Sequence, residues 1–137
     1  MKLKNYLVYK NKLLDFARAC NISITYTPGD NEGSMESSKK ITASSNMSQS
    51  AEIATILHEI GHVLDDMSLT LADRTKVDKA YGKIYTDNYS HKHKQTVLER
   101  EKAAWMYGRR LAAQVGIKLG KWFITEEKEA LASYRKD

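Results

Sequence analysis

Ala51-Glu52-Ile53-Ala54-Thr55-Ile56-Leu57-His58-Glu59-Ile60-Gly61-His62-Val63-Leu64 is the stretch on which the reading of this chain turns. Its Ala, Ile, Leu and Val residues suit a buried helix face, and no proline interrupts them. With its flanks the pattern predicts a helix over about 49–67, with Ser48 and Ser50 as N-cap candidates. On a helix, residues i and i+4 lie about 6 Å apart on one face. His58 and His62 have that spacing, so both imidazoles can reach one metal ion, and Glu59 projects beside them as a base for a water held there. Gly61 disfavours the helix by roughly 1 kcal/mol relative to Ala. A small residue there lets a second backbone approach the helix that bears the histidines.

A catalytic zinc ion usually takes three protein ligands. The H-E-x-x-H-x-x-G-x-x-H pattern of the metzincins is absent, because positions 65 and 68 are Asp65 and Ser68. A glutamate on a later helix, predicted over 95–115, is the better candidate. The apolar stripe of that segment runs Val97/Leu98, Glu101, Ala104/Trp105, Gly108, Leu111/Ala112 and Val115. Glu101 lies on the stripe, whereas Glu99 points about 160° away from it. A carboxylate on an apolar face is costly unless it is paired or binds a metal. Glu101 is therefore the preferred third ligand and Glu99 the alternative. Ala104 and Gly108 leave room for another helix to pack close.

His58-Glu59-Ile60-Gly61-His62 followed by Glu101-Lys102-Ala103-Ala104-Trp105-Met106-Tyr107-Gly108 resembles the gluzincin metallopeptidases. Within them it is similar to the small ImmA/IrrE-like group and to phage- and prophage-encoded zinc peptidases. The resemblance covers residues 49–112 well and the first 48 residues only in layout. It implies a compact zincin-like domain with a short sheet beside the metal helix. Two positions depart from the pattern: Trp105 stands where Asn or Asp is common, and Asp66 where a His often follows the second ligand. The Pro-containing segment that usually follows the second motif is missing as well.

The rest of the chain bounds the reading. At 137 residues it is expected to form a single domain, 1–137, with a core of its own. A mean hydropathy of −0.56 and the lack of a long apolar run fit a soluble protein without a membrane partner. The first residues lack an apolar signal segment, and the lone Cys20 fits a reducing compartment, so a cytoplasmic location is expected. Net charge is +5, but the basic residues are dispersed, from Lys2, Lys4, Lys10 and Lys12 through Lys92 and Lys94 to Arg109, Arg110, Lys118 and Lys121. No recognition module accompanies them, so they read as solvated faces and a nucleic-acid partner is not expected.

Along the chain, residues 3–20 read as a helix packed through Leu3, Leu7, Leu14 and Ala17, with Tyr6, Leu13 and Phe16 as further candidates, and Ile22–Thr27 as a strand. Residues 28–34 are a loop, Met35–Ser38 a second strand and Lys40–Ser44 a third. The serines of 34–50 suggest an exposed edge, which makes the third strand the candidate to pair with an extended substrate. Asp65 and Asp66, at an unfavourable helix C-terminus, read as surface residues with a compensating partner, or as acceptors that hydrogen bond a ligand imidazole. A helix is expected over Leu71–Ile84, with Tyr81, Tyr85 and Tyr89 as a packing stripe. The 85–94 segment reads as a loop in which Tyr85, Tyr89, His91 or His93 is available to stabilise an oxyanion. A closing helix is expected over 125–135, with Thr125 as N-cap and Trp122 and Phe123 as anchors.

These observations converge on an α+β domain, mostly helical, with a sheet of about three strands. The expected function is that of a zinc-dependent peptidase. One Zn²⁺ per chain is held by His58, His62 and Glu101, and peptide bonds are hydrolysed by a zinc-activated water with Glu59 as catalytic base. The partner is a protein or peptide substrate, taken with narrow specificity. The competing readings are a regulatory protein-binding module on the same scaffold with slow or no proteolysis, and a basic nucleic-acid-binding protein.

Overall fold

The order of elements is α1 (Tyr6–Ala19), β1 (Ser23–Thr27), β2 (Ser34–Ser37), β3 (Lys40–Ser44), α2 (Gln49–Ser68), α3 (Leu71–Tyr85), α4 (His91–Val115) and α5 (Lys121–Ala132). They are seen in a computed structural model that describes residues 2–28, 34–37 and 39–134. The fold is α+β and predominantly helical. Most of the loop expected at 28–34, residue 38 of the expected second strand and residue 135 of the expected closing helix lie outside the described residues.

The sheet has the order β1-β3-β2. β1 runs parallel to β3, from Ser23 opposite Lys40 to Thr27 opposite Ser44. β2 runs antiparallel on the other side of β3, with Ser34 opposite Thr42, Met35 opposite Ile41 and an irregularity before Ser37. Lys40–Ser44 is therefore the central strand and not the edge that its serines suggest. The physical reason is burial. β3 sinks Ile41, Ala43 and Ser44, whereas β1 has no fully buried position. A strand that enters the core must have its backbone groups paired on both sides. Ser44 tolerates burial because its Oγ accepts from the Asn46 N–H at 3.1 Å.

α2 starts where its sequence places it. Ser48 caps it, with Oγ accepting from the Ala51 N–H at 3.3 Å. It then packs antiparallel against α4 at backbone contact. A Cβ on Gly61 would lie 2.0 Å from the Ala104 carbonyl oxygen, and one on Gly108 2.9 Å from that of Leu57. Only glycine fits at the first of these positions without moving a helix.

Two helix starts and one helix face differ from expectation. α4 begins at His91, so His91–Lys94 are its first turn and not part of a loop. Ser90 and His93 form a reciprocal cap in which Ser90 Oγ accepts from the His93 N–H and His93 Nδ1 accepts from the Ser90 N–H. The turn is largely solvated, which is why no apolar period marks it. α5 begins at Lys121 after Gly120, not at Thr125, because Phe123 is fully buried and its packing draws the helix start back. On α1 the buried line is Tyr9, Leu13 and Ala17, and Leu7 is 68% exposed, so the helix is rotated from the expected face.

The core joins α1, β3, α2, α4 and α5 through Leu13, Ile41, Ile53, Leu57, Ile60, Leu111 and Phe123. α3 stands apart, and Ala80 is its one buried residue. No described helix is long and apolar enough to cross a membrane.

Candidate metal centre

α2 presents His58 and His62 one turn apart, with ring centroids 4.6 Å apart. α4 crosses behind them and places Glu101 between the rings. His58 Nε2 lies 3.2 Å from Glu101 Oε1, and His62 Nε2 lies 2.8 Å from Glu101 Oε2. One donor atom from each of these residues fits within a group spanning 4.8 Å, which is a set that could hold a metal ion. Glu99 is exposed on the opposite side of α4, as its phase on the helix requires. Glu59 is buried with its Oε1 3.3 Å from His58 Nδ1.

The donor set fits a divalent cation. His58 Nε2 is buried, and the polar atom beside it is the Glu101 Oε1 at 3.2 Å, with which it makes no well-formed hydrogen bond. A buried nitrogen in that position is normally paired. Two imidazoles and one carboxylate are also the ligand types of a catalytic zinc site. Two carboxylates stand against two rings that are neutral by default, so the cluster gains from a positive charge.

The electrostatics show the same demand. Burial works to lower the His58 imidazole, but the Glu101 and Glu59 carboxylates overcome it and push it up to about 9. Burial works to raise Glu101, and the two imidazoles overcome it and hold the carboxyl well below the usual range. A proton on His58 thus takes the place that a metal cation would fill.

Surrounding groups fix these side chains. Trp105, one turn beyond Glu101, stacks on His58 with a centroid distance of 4.4 Å and an interplanar angle of 11°. Phe123 of α5 meets Trp105 edge-on at 5.2 Å. The position where the gluzincin pattern commonly has Asn or Asp therefore supports a candidate ligand by stacking. Tyr81 of α3 donates its hydroxyl to Glu101 Oε2 at 2.5 Å. It had read as one member of a packing stripe, but Tyr85 is 85% exposed and Tyr89 is exposed too. Nothing in the residues around Tyr81 marks this role, because its partner lies 20 positions away on another helix.

The remaining candidates are engaged elsewhere. Asp65 Oδ1 accepts from Arg100 Nη1 at 2.8 Å, and Asp66 lies 3.4 Å from Arg74 Nε. These arginines are the partners that the helix end requires, and neither aspartate bond goes to a ligand imidazole. His93 is committed to its helix cap and His91 is exposed, so the 91–93 pair forms no loop beside the cluster. No protein-family model, curated protein or solved structure matches this chain.

Proposed function

We propose that the chain is a zinc-dependent peptidase of the gluzincin kind, with a zincin-like arrangement of α2, α4 and the sheet. The convergence of His58, His62 and Glu101 from two helices, with Glu59 beside them, carries this reading. These three residues would hold one Zn²⁺ per chain. When bound, zinc supplies Lewis acidity, polarising a carbonyl and making a water acidic near neutral pH.

The chain's own residues supply the rest. Glu59 is the base: its carboxylate takes the proton of the attacking water and delivers it to the leaving amine. Its neighbour His58 keeps that carboxylate oriented through Nδ1 at 3.3 Å. Trp105 holds the His58 ring plane, and the α2–α4 contact at Gly61 sets the spacing between the histidine pair and Glu101.

The substrate is an extended protein or peptide segment, taken with narrow specificity in a cytoplasmic setting. β3 is paired on both sides, so a peptide would add to the sheet along β2, the outer strand that also packs against α2. Elemental analysis of purified protein should find one zinc per chain. A full complement of zinc in Glu101→Ala, or none in the wild type, would overturn the ligand set. Rapid zinc-dependent digestion of casein into many fragments would refute narrow specificity.

A further inference from the structure

We propose that Tyr81 is a positioning residue for Glu101: its hydroxyl fixes the carboxylate so that the ligand set is held in register. This inference rests on the metal reading above. The geometry starts from the two carboxylate oxygens. Oε1 faces His58 Nε2 at 3.2 Å and Oε2 faces His62 Nε2 at 2.8 Å, with Tyr81 donating to Oε2 at 2.5 Å. The phenol therefore occupies one side of Oε2 and leaves Oε1 without a hydrogen-bond donor of that kind. Glutamate has several rotatable bonds, and the Tyr81 hydroxyl, brought from a third helix, restrains the carboxylate that α4 alone would leave free to turn about them. Hydrogen bonds to an ionised carboxylate are also among the stronger ones.

The placement of α3 supports the assignment. It buries Ala80 alone and contributes no member of the main core cluster, yet it packs along α4. Its main polar link to the centre is the Tyr81–Glu101 bond across 20 positions of sequence. Groups that hold a metal ligand in this way change metal affinity by about 10–100-fold when removed.

The test compares wild type, Tyr81→Phe, Tyr81→Leu and, as a control, the exposed Tyr85→Phe. Zinc affinity is measured by chelator competition, the visible spectrum is recorded with Co²⁺ in place of zinc, and helical circular dichroism is followed without metal. A positioning role predicts that Tyr81→Phe stays folded, loses about 10–100-fold in zinc affinity and changes the Co²⁺ band intensities. Tyr81→Leu should lose a similar amount and Tyr85→Phe nothing. Wild-type affinity and spectrum in Tyr81→Phe, with loss only in Tyr81→Leu, would show that the ring merely packs and would overturn the proposal. Failure of the wild type itself to take up stoichiometric zinc or Co²⁺ would instead overturn the metal reading and this inference with it.

Discussion

Two buried glutamates sit in very different company. Glu52, in the first turn of α2, accepts from Tyr6 Oη at 2.5 Å and Tyr26 Oη at 2.8 Å and pairs with Lys10 Nζ at 3.1 Å. The Lys10 ammonium also lies 4.8 Å from the centre of the Tyr26 ring. Glu101 likewise accepts from a phenol, but its other neighbours are the imidazoles of His58 and His62. Both carboxylates are nearly inaccessible, at 8% and 4% exposure, so burial does not separate them. The counter-charge does. Lys10 is a permanent cation held by α1, and the Glu52 cluster is complete within the protein. Around Glu101 the positive charge is conditional, because an imidazole carries it only when protonated. A buried carboxylate closed by lysine and phenols is a clasp between α1, β1 and α2; one closed by imidazoles can exchange their protons for a metal.

Exchanging the two glutamates for alanine should give opposite phenotypes, and this is the largest effect expected. Glu101→Ala should abolish tight zinc binding. Glu52→Ala should keep one zinc per chain yet lose about 1–3 kcal/mol of stability in urea unfolding, because it leaves a half-buried lysine and two phenols without their acceptor. A folded Glu52→Ala protein that no longer binds zinc would erase the distinction. Glu59→Gln separates holding from chemistry within the Glu101 region. It should retain zinc and lose hydrolysis by about 10²–10⁴-fold, and undiminished turnover would remove Glu59 from the mechanism.

The crossing of α2 and α4 sharpens the contrast in another way. Gly61→Ala would drive a methyl group into the Ala104 backbone, so the helices must separate at the level of the site. We expect a loss of about 3 kcal/mol, at the upper end for overpacking. Zinc affinity should fall with it, because the histidine pair and Glu101 ride on different helices. The Tyr26–Glu52 contact, at the far end of α2, should survive in the variant's tyrosine NMR signals. Unchanged zinc affinity in Gly61→Ala would show that the spacing of the helices does not set the site.

Much of this was legible because the signals are local. His58 and His62 share a helix turn, and Glu101 breaks an apolar stripe where a charge has no reason to stand. Gly61 and Gly108 announced a close crossing, which the backbone contacts with Ala104 and Leu57 show. What stayed hidden depends on partners distant in sequence. Tyr81 meets Glu101 from a helix with a single buried residue, and Glu52 is closed by Tyr6 and Tyr26, which lie 46 and 26 positions away. The central position of β3 could not be read from its own residues, because β2 inserts beyond it while β1 pairs parallel from the other side. The start of α5 followed the burial of Phe123 over the capping appearance of Thr125.

The smallest effect is the dependence of chelator-treated protein on pH, and it distinguishes the two glutamates without any metal. His58 is raised from 6.5 to about 9, so its contribution to stability is complete below 6.5 and is lost as pH rises through about 9. Glu101 is lowered, so its contribution is present above the ordinary carboxylate value of 4.5 and is lost as pH falls below it. The Glu101 region therefore stabilises most between these limits and weakens across pH 6.5–9, by up to about 3 kcal/mol. The Glu52 region behaves otherwise. Burial and the Glu52 carboxylate raise Tyr26 above its ordinary 10.0, and Glu52 raises Lys10 above 10.5 against the opposing effect of burial. Its contribution persists until the solution is more alkaline than pH 10. Urea unfolding of the chelated wild type should thus show a decline between pH 6.5 and 9 that Glu101→Gln lessens, with the share due to Glu59 remaining, and Glu52→Gln leaves in place. In the same interval zinc affinity should rise, since His58 must release its proton to bind, and uptake near neutral pH should liberate about one proton per ion. A flat stability profile in the chelated wild type, or zinc uptake without proton release at pH 7, would show that His58 is already neutral there and that the carboxylates do not hold its proton.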